Sequence, residues 1–298
     1  MWLIVAFKRL LWRVGLNCAR LFARLPYDVQ MDVGRWLGRA SLSFVKRRRQ
    51  ITEANLRYCF PELNKEELQH RLVLAFESAG MGVAETIIAW FRPKLDASLC
   101  QIEGLEYLEA ALNQNKGALI LGAHMTCLEI IGRFFAKAQA YRLLYRKHEN
   151  QSFEALMSQA RGEYVDELID RIDVRKVVRS LKDNWPIWYA PDQDFGIGNA
   201  LFTPFFGVQT ATTVATSRLV KMSGCQIVPV SFYRLPHAQG YKIKFYPAWQ
   251  SFPGDSDEKD CLRINQFIES VILNAPEQYL WQHRRFKTRP QGEDSLYD

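Results

Sequence analysis

Apolar side chains recur at helical spacing up to Pro93, then give way to short apolar runs separated by amphipathic stretches. In Met1 to Leu25 the residues Leu3, Ile4, Phe7, Leu10, Leu11, Val14, Leu21, Phe22 and Leu25 share one helical face. Arg9, Arg13, Arg20 and Arg24 fall opposite, with Lys8 on one flank. The pattern stays helical through Gln50–Phe60, turns over Pro61–Asn64, and predicts a long helix from about Lys65 to Trp90. A polar approach, Ser98 to Asn115, holds a helix at Leu105–Asn113 and leads to the apolar run Ala118–Gly122, which has strand length. From Met125 onward Leu128, Ile131, Phe134 and Phe135 fit a helix, so the reading is strand, tight turn, helix, with His124 in the turn.

Further strands are predicted at Tyr141–Tyr145, Ile187–Ala190, Gln226–Tyr233 and Tyr241–Trp249. Helices are predicted at Gln151–Gly162, Arg175–Lys182, Ala211–Ser223 and Asp257–Asn274. This alternation implies an α/β sheet. No repeat, low-complexity tract or linker interrupts it, which predicts a membrane-associated helix over 1–25 followed by a single domain over 26–298.

The longest uncharged run near the start, Met1–Phe7, is far short of the roughly 20 residues a transmembrane helix needs. It also lacks the order of a cleaved signal, because the basic residues follow the apolar start. An in-plane amphipathic helix accounts for the pattern; a surface helix on the domain core and a tilted span with snorkelling arginines are the alternatives. A net charge of +7 points to anionic partners. The basic residues concentrate on this helix, the Lys46–Arg49 cluster and the tail, which suits anionic lipid and gives no nucleic-acid platform. The six cysteines have no paired spacing and read as reduced thiols.

His124 and Glu129 form an H-x-x-x-x-E pair at a strand end, where open α/β folds place chemistry. On one regular helix the two side chains would diverge by about 140°, so they can meet only if His124 lies in the turn. The same pattern also describes a hydrogen-bonded turn histidine and an exposed glutamate. Pro191-Asp192-Gln193-Asp194-Phe195-Gly196 is a second strand-end loop, read either as an active-site loop or as an aspartate-rich turn. Walker A, G-x-G-x-x-G, G-x-S-x-G and H-E-x-x-H motifs are absent, and no cofactor is expected. A histidine base without a protein nucleophile suits deprotonation of a hydroxyl that attacks an activated ester.

Four blocks taken together resemble the late acyltransferases of bacterial lipid A synthesis, over nearly the whole chain. They are His124–Glu129, Pro191–Gly196, Pro204-Phe205-Phe206-Gly207 with Ala211-Thr212, and Pro276–Trp281 continuing through His283–Pro290. The resemblance implies a mixed β-sheet flanked by helices, like the glycerol-3-phosphate acyltransferases, in an enzyme on the cytoplasmic side of the inner membrane. It implies acyl carrier protein as donor and the 3-hydroxyacyl hydroxyl of the Kdo-bearing lipid A precursor as acceptor. A related acyltransferase with a glycerophospholipid or glycolipid acceptor is the alternative, and a non-enzymatic membrane protein a second. His124 is then the base and Glu129 its orienting carboxylate, with amides around Gly122 for the oxyanion. Arg161 and Asp192 order the site or bind substrate, as an ion pair in one reading. Arg146, with Lys147 and His148, either meets acceptor phosphates or lies in a solvated loop. Arg284 and Arg285 are open to acceptor, carrier protein or membrane.

Overall fold

The protein is described by a computed structural model over residues 2–297, with side chains from Leu10 onward. The side chains of Leu3, Ile4, Phe7, Lys8 and Arg9, assigned above to faces of the first helix, lie outside the described residues. Four helices open the chain: α1 (Trp2–Phe22), α2 (Tyr27–Ser41), α3 (Lys46–Cys59) and α4 (Lys65–Phe91). Asn64 starts α4 with a capping box, its side chain accepting from the Glu67 amide while the Glu67 carboxylate accepts from its own. α4 is long and apolar enough to cross a membrane, but half of that stretch is buried within the fold.

The α/β part then runs β1 (Cys100–Glu103), α5 (Leu105–Leu112), β2 (Ala118–Leu121), α6 (Leu128–Phe135), β3 (Arg142–Tyr145) and α7 (Gln151–Gly162). It continues with β4 (Glu167–Asp170), α8 (Val174–Lys182), β5 (Pro186–Tyr189), β6 (Ala200–Phe205) and β7 (Val208–Thr213). The last elements are α9 (Ala215–Ser223), β8 (Gln226–Arg234), β9 (Tyr241–Phe245) and α10 (Asp257–Asn274). Seven strands form one sheet in the order β1-β9-β8-β2-β5-β3-β4, while β6 and β7 make a separate hairpin. Only the β8–β9 pair within that sheet is antiparallel, so the sheet is mixed. β2 and β5 lie at its middle with every residue buried, which is why both read as unbroken apolar runs.

One register decides where His124 and Asp192 meet. β2 and β5 are parallel neighbours with Leu121 opposite Tyr189. His124 and Asp192 each lie three residues beyond that pair, so the sheet delivers both to the same carboxyl edge.

Several elements depart from expectation. β1, β4 and the β6–β7 hairpin fall in stretches read as non-strand, and the helix expected from Ala211 starts only at Ala215, because residues to Thr213 pair as β7. α6 begins at Leu128, since Met125 first bridges to Tyr279. The strand from Tyr241 stops at Phe245.

Candidate active site

His124 lies in the turn between β2 and α6, and Asp192 clasps it twice. The Asp192 Oδ1 stands 2.5 Å from His124 Nδ1, and its Oδ2 accepts the His124 backbone N–H at 2.8 Å. An ionised carboxylate only accepts, so Nδ1 carries the hydrogen and Nε2 is left with the lone pair. The Asp192 side chain has no exposed area, whereas a quarter of the His124 side chain is exposed. Burial alone would raise the Asp192 pKa. The imidazole's charge and the two hydrogen bonds outweigh it and bring the group down to about 2. Burial likewise pushes His124 down, but the attraction and hydrogen bond of Asp192 prevail, and its pKa sits above the ordinary histidine value.

The carboxylate that orients His124 is therefore Asp192, not Glu129. Glu129 opens α6 and turns toward α4 and α7, where it pairs with Arg161 Nη2 and accepts from Trp90 Nε1 at 2.9 Å and Tyr164 Oη at 3.3 Å. Arg161 and Asp192 do not pair with each other; each takes one member of the H-x-x-x-x-E motif instead. The Arg161 charge still reaches the site, because it acts on His124 to lower its pKa. Burial disfavours charged Arg161, and Glu129 more than restores it. Of the amides around Gly122 expected to serve the oxyanion, those of Gly122 and His124 are already given to Tyr189 O at 3.0 Å and to Asp192.

A second buried cluster holds the turn from the other side and was not anticipated. Arg234, the last residue of β8, donates from Nε to Glu85 Oε1 at 2.5 Å and from Nη2 to Oε2 at 2.7 Å. Tyr241 Oη donates to the same Glu85 carboxylate at 2.8 Å. Arg234 Nη2 reaches Thr126 Oγ1 at 3.3 Å, and Ser78 Oγ lies 2.8 Å from that hydroxyl. Gln278 completes the clamp: its side chain bonds both backbone groups of Arg234, at 2.7 and 2.9 Å, and its carbonyl accepts the Thr126 N–H at 2.7 Å. Two residues on, the Leu280 N–H donates to the His124 carbonyl at 2.9 Å. The Pro276–Trp281 block thus straps the histidine turn to the end of β8. The sequence signal was a lone glutamate inside the apolar stretch Val83–Trp90.

Asp194 serves the tail, accepting from the Thr288 N–H at 2.7 Å and the Thr288 hydroxyl at 2.9 Å. Its own N–H donates to His283 Nε2 at 3.2 Å. Burial drives the His283 pKa down to about 4, although Asp192 pulls it upward. Arg285 is buried, donating to Ala211 O at 2.8 Å and lying 5.1 Å over the Phe205 ring, so it is not presented to carrier protein or membrane. Arg146 stays outside the His124 cluster, exposed beyond β3 and paired with Glu149 at 3.1 Å. Among the described residues no group of three His, Cys, Asp or Glu side chains is placed to hold a metal.

Comparison with known proteins adds a family to this geometry. The family model described as bacterial lipid A biosynthesis acyltransferase matches residues 5–288. The chain is 38% identical over 286 residues to the lipid A biosynthesis lauroyltransferase of Escherichia coli K12, covering 95% of this chain and 94% of that one. It is also 38% identical to the palmitoleoyltransferase of the same organism, over 95% of this chain and 93% of the relative. Against the E. coli myristoyltransferase identity is 26%, covering 89% and 82%. A solved 1-acyl-sn-glycerophosphate acyltransferase from Thermotoga maritima aligns with a TM-score of 0.37 at 13% identity, covering 80% of this chain and 94% of that one.

Proposed function

The chain belongs to the bacterial lipid A biosynthesis acyltransferases, and from that premise we propose that it moves a fatty acyl group from an acyl carrier protein thioester to a hydroxyl of the Kdo-bearing lipid A precursor. The observation that carries this reading is the His124–Asp192 pair: a histidine whose Nδ1 is fixed, whose Nε2 is free to take a proton, and which is only partly covered.

In the proposed reaction, His124 Nε2 removes the acceptor hydroxyl proton as that oxygen attacks the thioester carbonyl. The tetrahedral intermediate carries its negative charge near Arg161, which Glu129 holds in place. Collapse breaks the C–S bond, and the departing thiolate takes the proton back from Nε2. Asp192 keeps the ring in the productive tautomer and stabilises the imidazolium between the two steps. Glu129 acts through Arg161 and is a positioning residue. Arg146, exposed past β3, is offered to an acceptor phosphate. Transfer is direct, with no acyl-enzyme.

The basic residues of the first 49 positions suit both an acidic carrier protein and a phosphorylated acceptor. The same charge, with the exposed Leu10, Leu11, Val14 and Leu21 of α1, supports peripheral attachment to anionic inner-membrane lipid with the site facing the cytoplasm. The test is transfer from a panel of acyl carrier protein thioesters to the Kdo-bearing tetraacyl precursor, with His124→Ala as control. Product one acyl group heavier, absent from the control, is expected. No product with any donor, in the presence of membrane lipid, overturns the acceptor assignment; a trapped acyl-enzyme overturns direct transfer.

A further inference from the structure

α2 carries two apolar faces, and only one of them is covered. Met31, Gly34 and Gly38 are buried, the two glycines against α4. Val29, Val33, Trp36 and Leu37 follow at helical spacing on another side, and Phe44 continues the stripe past the end of the helix. Trp36 is 67% exposed, Leu37 53% and Phe44 82%. Beside this stripe, between α2 and α4, lies an apolar cavity of about 380 Å³ lined by Val33, Leu37, Val45, Ala79, Val83 and Ile87. Arg48 and Gln282 also border it. It is separate from the catalytic turn, because α4 gives Ser78, Gly82 and Glu85 to the Thr126–Arg234 cluster and Ala79, Val83 and Ile87 to the groove.

Charge identifies the occupant. The first 49 residues carry eleven lysines and arginines against two aspartates, so the remainder of the chain is slightly acidic despite a total of +7. That excess lies in residues 8–24 and on Lys46–Arg49, on either side of the apolar stripe, while α2 itself is neutral, with Asp28 and Asp32 against Arg35 and Arg39. Lys46, Arg47, Arg48 and Arg49 are all exposed at the start of α3, immediately after Phe44 and Val45. An exposed aromatic and aliphatic stripe bordered by arginines matches the headgroup boundary of an anionic leaflet. A protein partner would have to be at once apolar and strongly acidic.

We propose that α2, the Phe44 turn and the outer face of α4 form a bilayer-contact surface continuous with α1, and that the α2–α4 groove takes one acyl chain of an anionic phospholipid whose phosphate meets Arg48 and its neighbours. The surface acts independently of the transfer reaction, so it can be read without substrate.

Full-length protein is mixed with phosphatidylglycerol-containing vesicles. Trp36→Ser/Phe44→Ser lowers partitioning at least tenfold with an unchanged melting temperature, since both side chains are exposed. In a Cys18→Ser background, spin labels at Leu11→Cys and Phe44→Cys report α1 and the new surface separately. Both become more accessible to oxygen than to a water-soluble nickel chelate when vesicles are added. A phosphatidylglycerol with a diazirine in its chain labels peptides of α2 and α4, and Val83→Trp, filling the groove mouth, abolishes that labelling. A label at 44 that stays in water while the one at 11 enters lipid overturns the proposal and leaves the α1 anchor standing. Labelling that survives Val83→Trp overturns the groove assignment. A dimer in solution that the double variant dissociates, without vesicle binding, assigns the face to a second copy instead.

Discussion

Glu85 and Asp192 are both carboxylates with no exposed side-chain area, both are paired with a nitrogen base, and both reach the turn that holds His124 and Thr126. Their partners separate them. Arg234 spends its fork on Glu85 and donates further to Ser78 and Thr126, and the ion pair itself is closed to solvent. His124 spends one nitrogen on Asp192 and keeps the other, on a side chain that is a quarter exposed. A buried charge pair becomes chemistry when one of its members retains an unspent atom facing a space that substrate can enter. When every donor is consumed it becomes framework, and its removal is felt as stability.

The largest effect expected from that contrast is at the open pair. His124→Ala should cut transfer by roughly 10³-fold or more, within the range general-base catalysis contributes, and leave the melting temperature nearly unchanged. Loss of folding with it would erase the distinction. Asp192→Asn preserves shape but not charge, and a loss of about 10²- to 10³-fold in kcat is expected from a misplaced tautomer. Its pH profile sharpens the point. The base must be unprotonated, and its raised pKa places the acid limb of kcat/KM above the ordinary histidine value near 6.5. Without the carboxylate that raises it, the residual activity should have its acid limb at lower pH. A limb that does not move would mean that Asp192 does not set the ionisation of His124.

At the closed pair, Glu85→Gln strands the Arg234 charge and should cost about 3–5 kcal/mol by denaturant unfolding. Glu85→Met with Arg234→Met should regain much of this, because two apolar groups leave no unpaired charge. If Glu85→Gln instead abolished activity at full stability, the cluster would belong to the reaction. The smallest effect is at His283. Its folded pKa of about 4 lies below the unfolded value near 6.5, so the unfolded chain binds the extra proton first. The stability in question is complete above pH 6.5 and drains away as pH falls toward 4, by about 3 kcal/mol at most. His283→Gln should flatten that slope in unfolding measured across this window.

The central elements were legible because they are buried on both faces or strictly amphipathic. β2 and β5 show as apolar runs and α4 as a long periodic stretch. β1 and β4 were hidden by length and charge: each is a four-residue edge strand, Cys100–Glu103 and Glu167–Asp170. The hairpin was hidden by its turn. Phe206 and Gly207 both have positive φ, the two-residue form that asparagine or glycine normally signals, and Pro204 sits inside the preceding strand. Phe206 is held there by the Phe60 ring at 5.3 Å and by an N–H bond to Glu269 at 2.8 Å, contacts that local sequence does not display. At the site, the motif located His124 and the resemblance located its companions. Which carboxylate faced the imidazole depended on the β2–β5 register, a pairing between residues 68 apart. Glu85 and Arg234, separated by 149 positions, were further still from any local pattern.

The glycines of α4 have a consequence for reach. A Cβ at Gly80 would lie 2.2 Å from the Gly34 carbonyl on α2, and one at Gly82 would lie 2.6 Å from the Thr126 carbonyl. The two positions are about 200° apart round the helix, nearly opposite sides. α4 therefore touches α2 on one flank and the histidine turn on the other, backbone against backbone, with no side chain between to yield. With α2 and the outer face of α4 on lipid as proposed, α4 becomes a rigid spacer between that surface and the turn of His124. The proposed lipid surface and the proposed base are thereby held at a set separation, and the reach toward a hydroxyl falls to the acceptor.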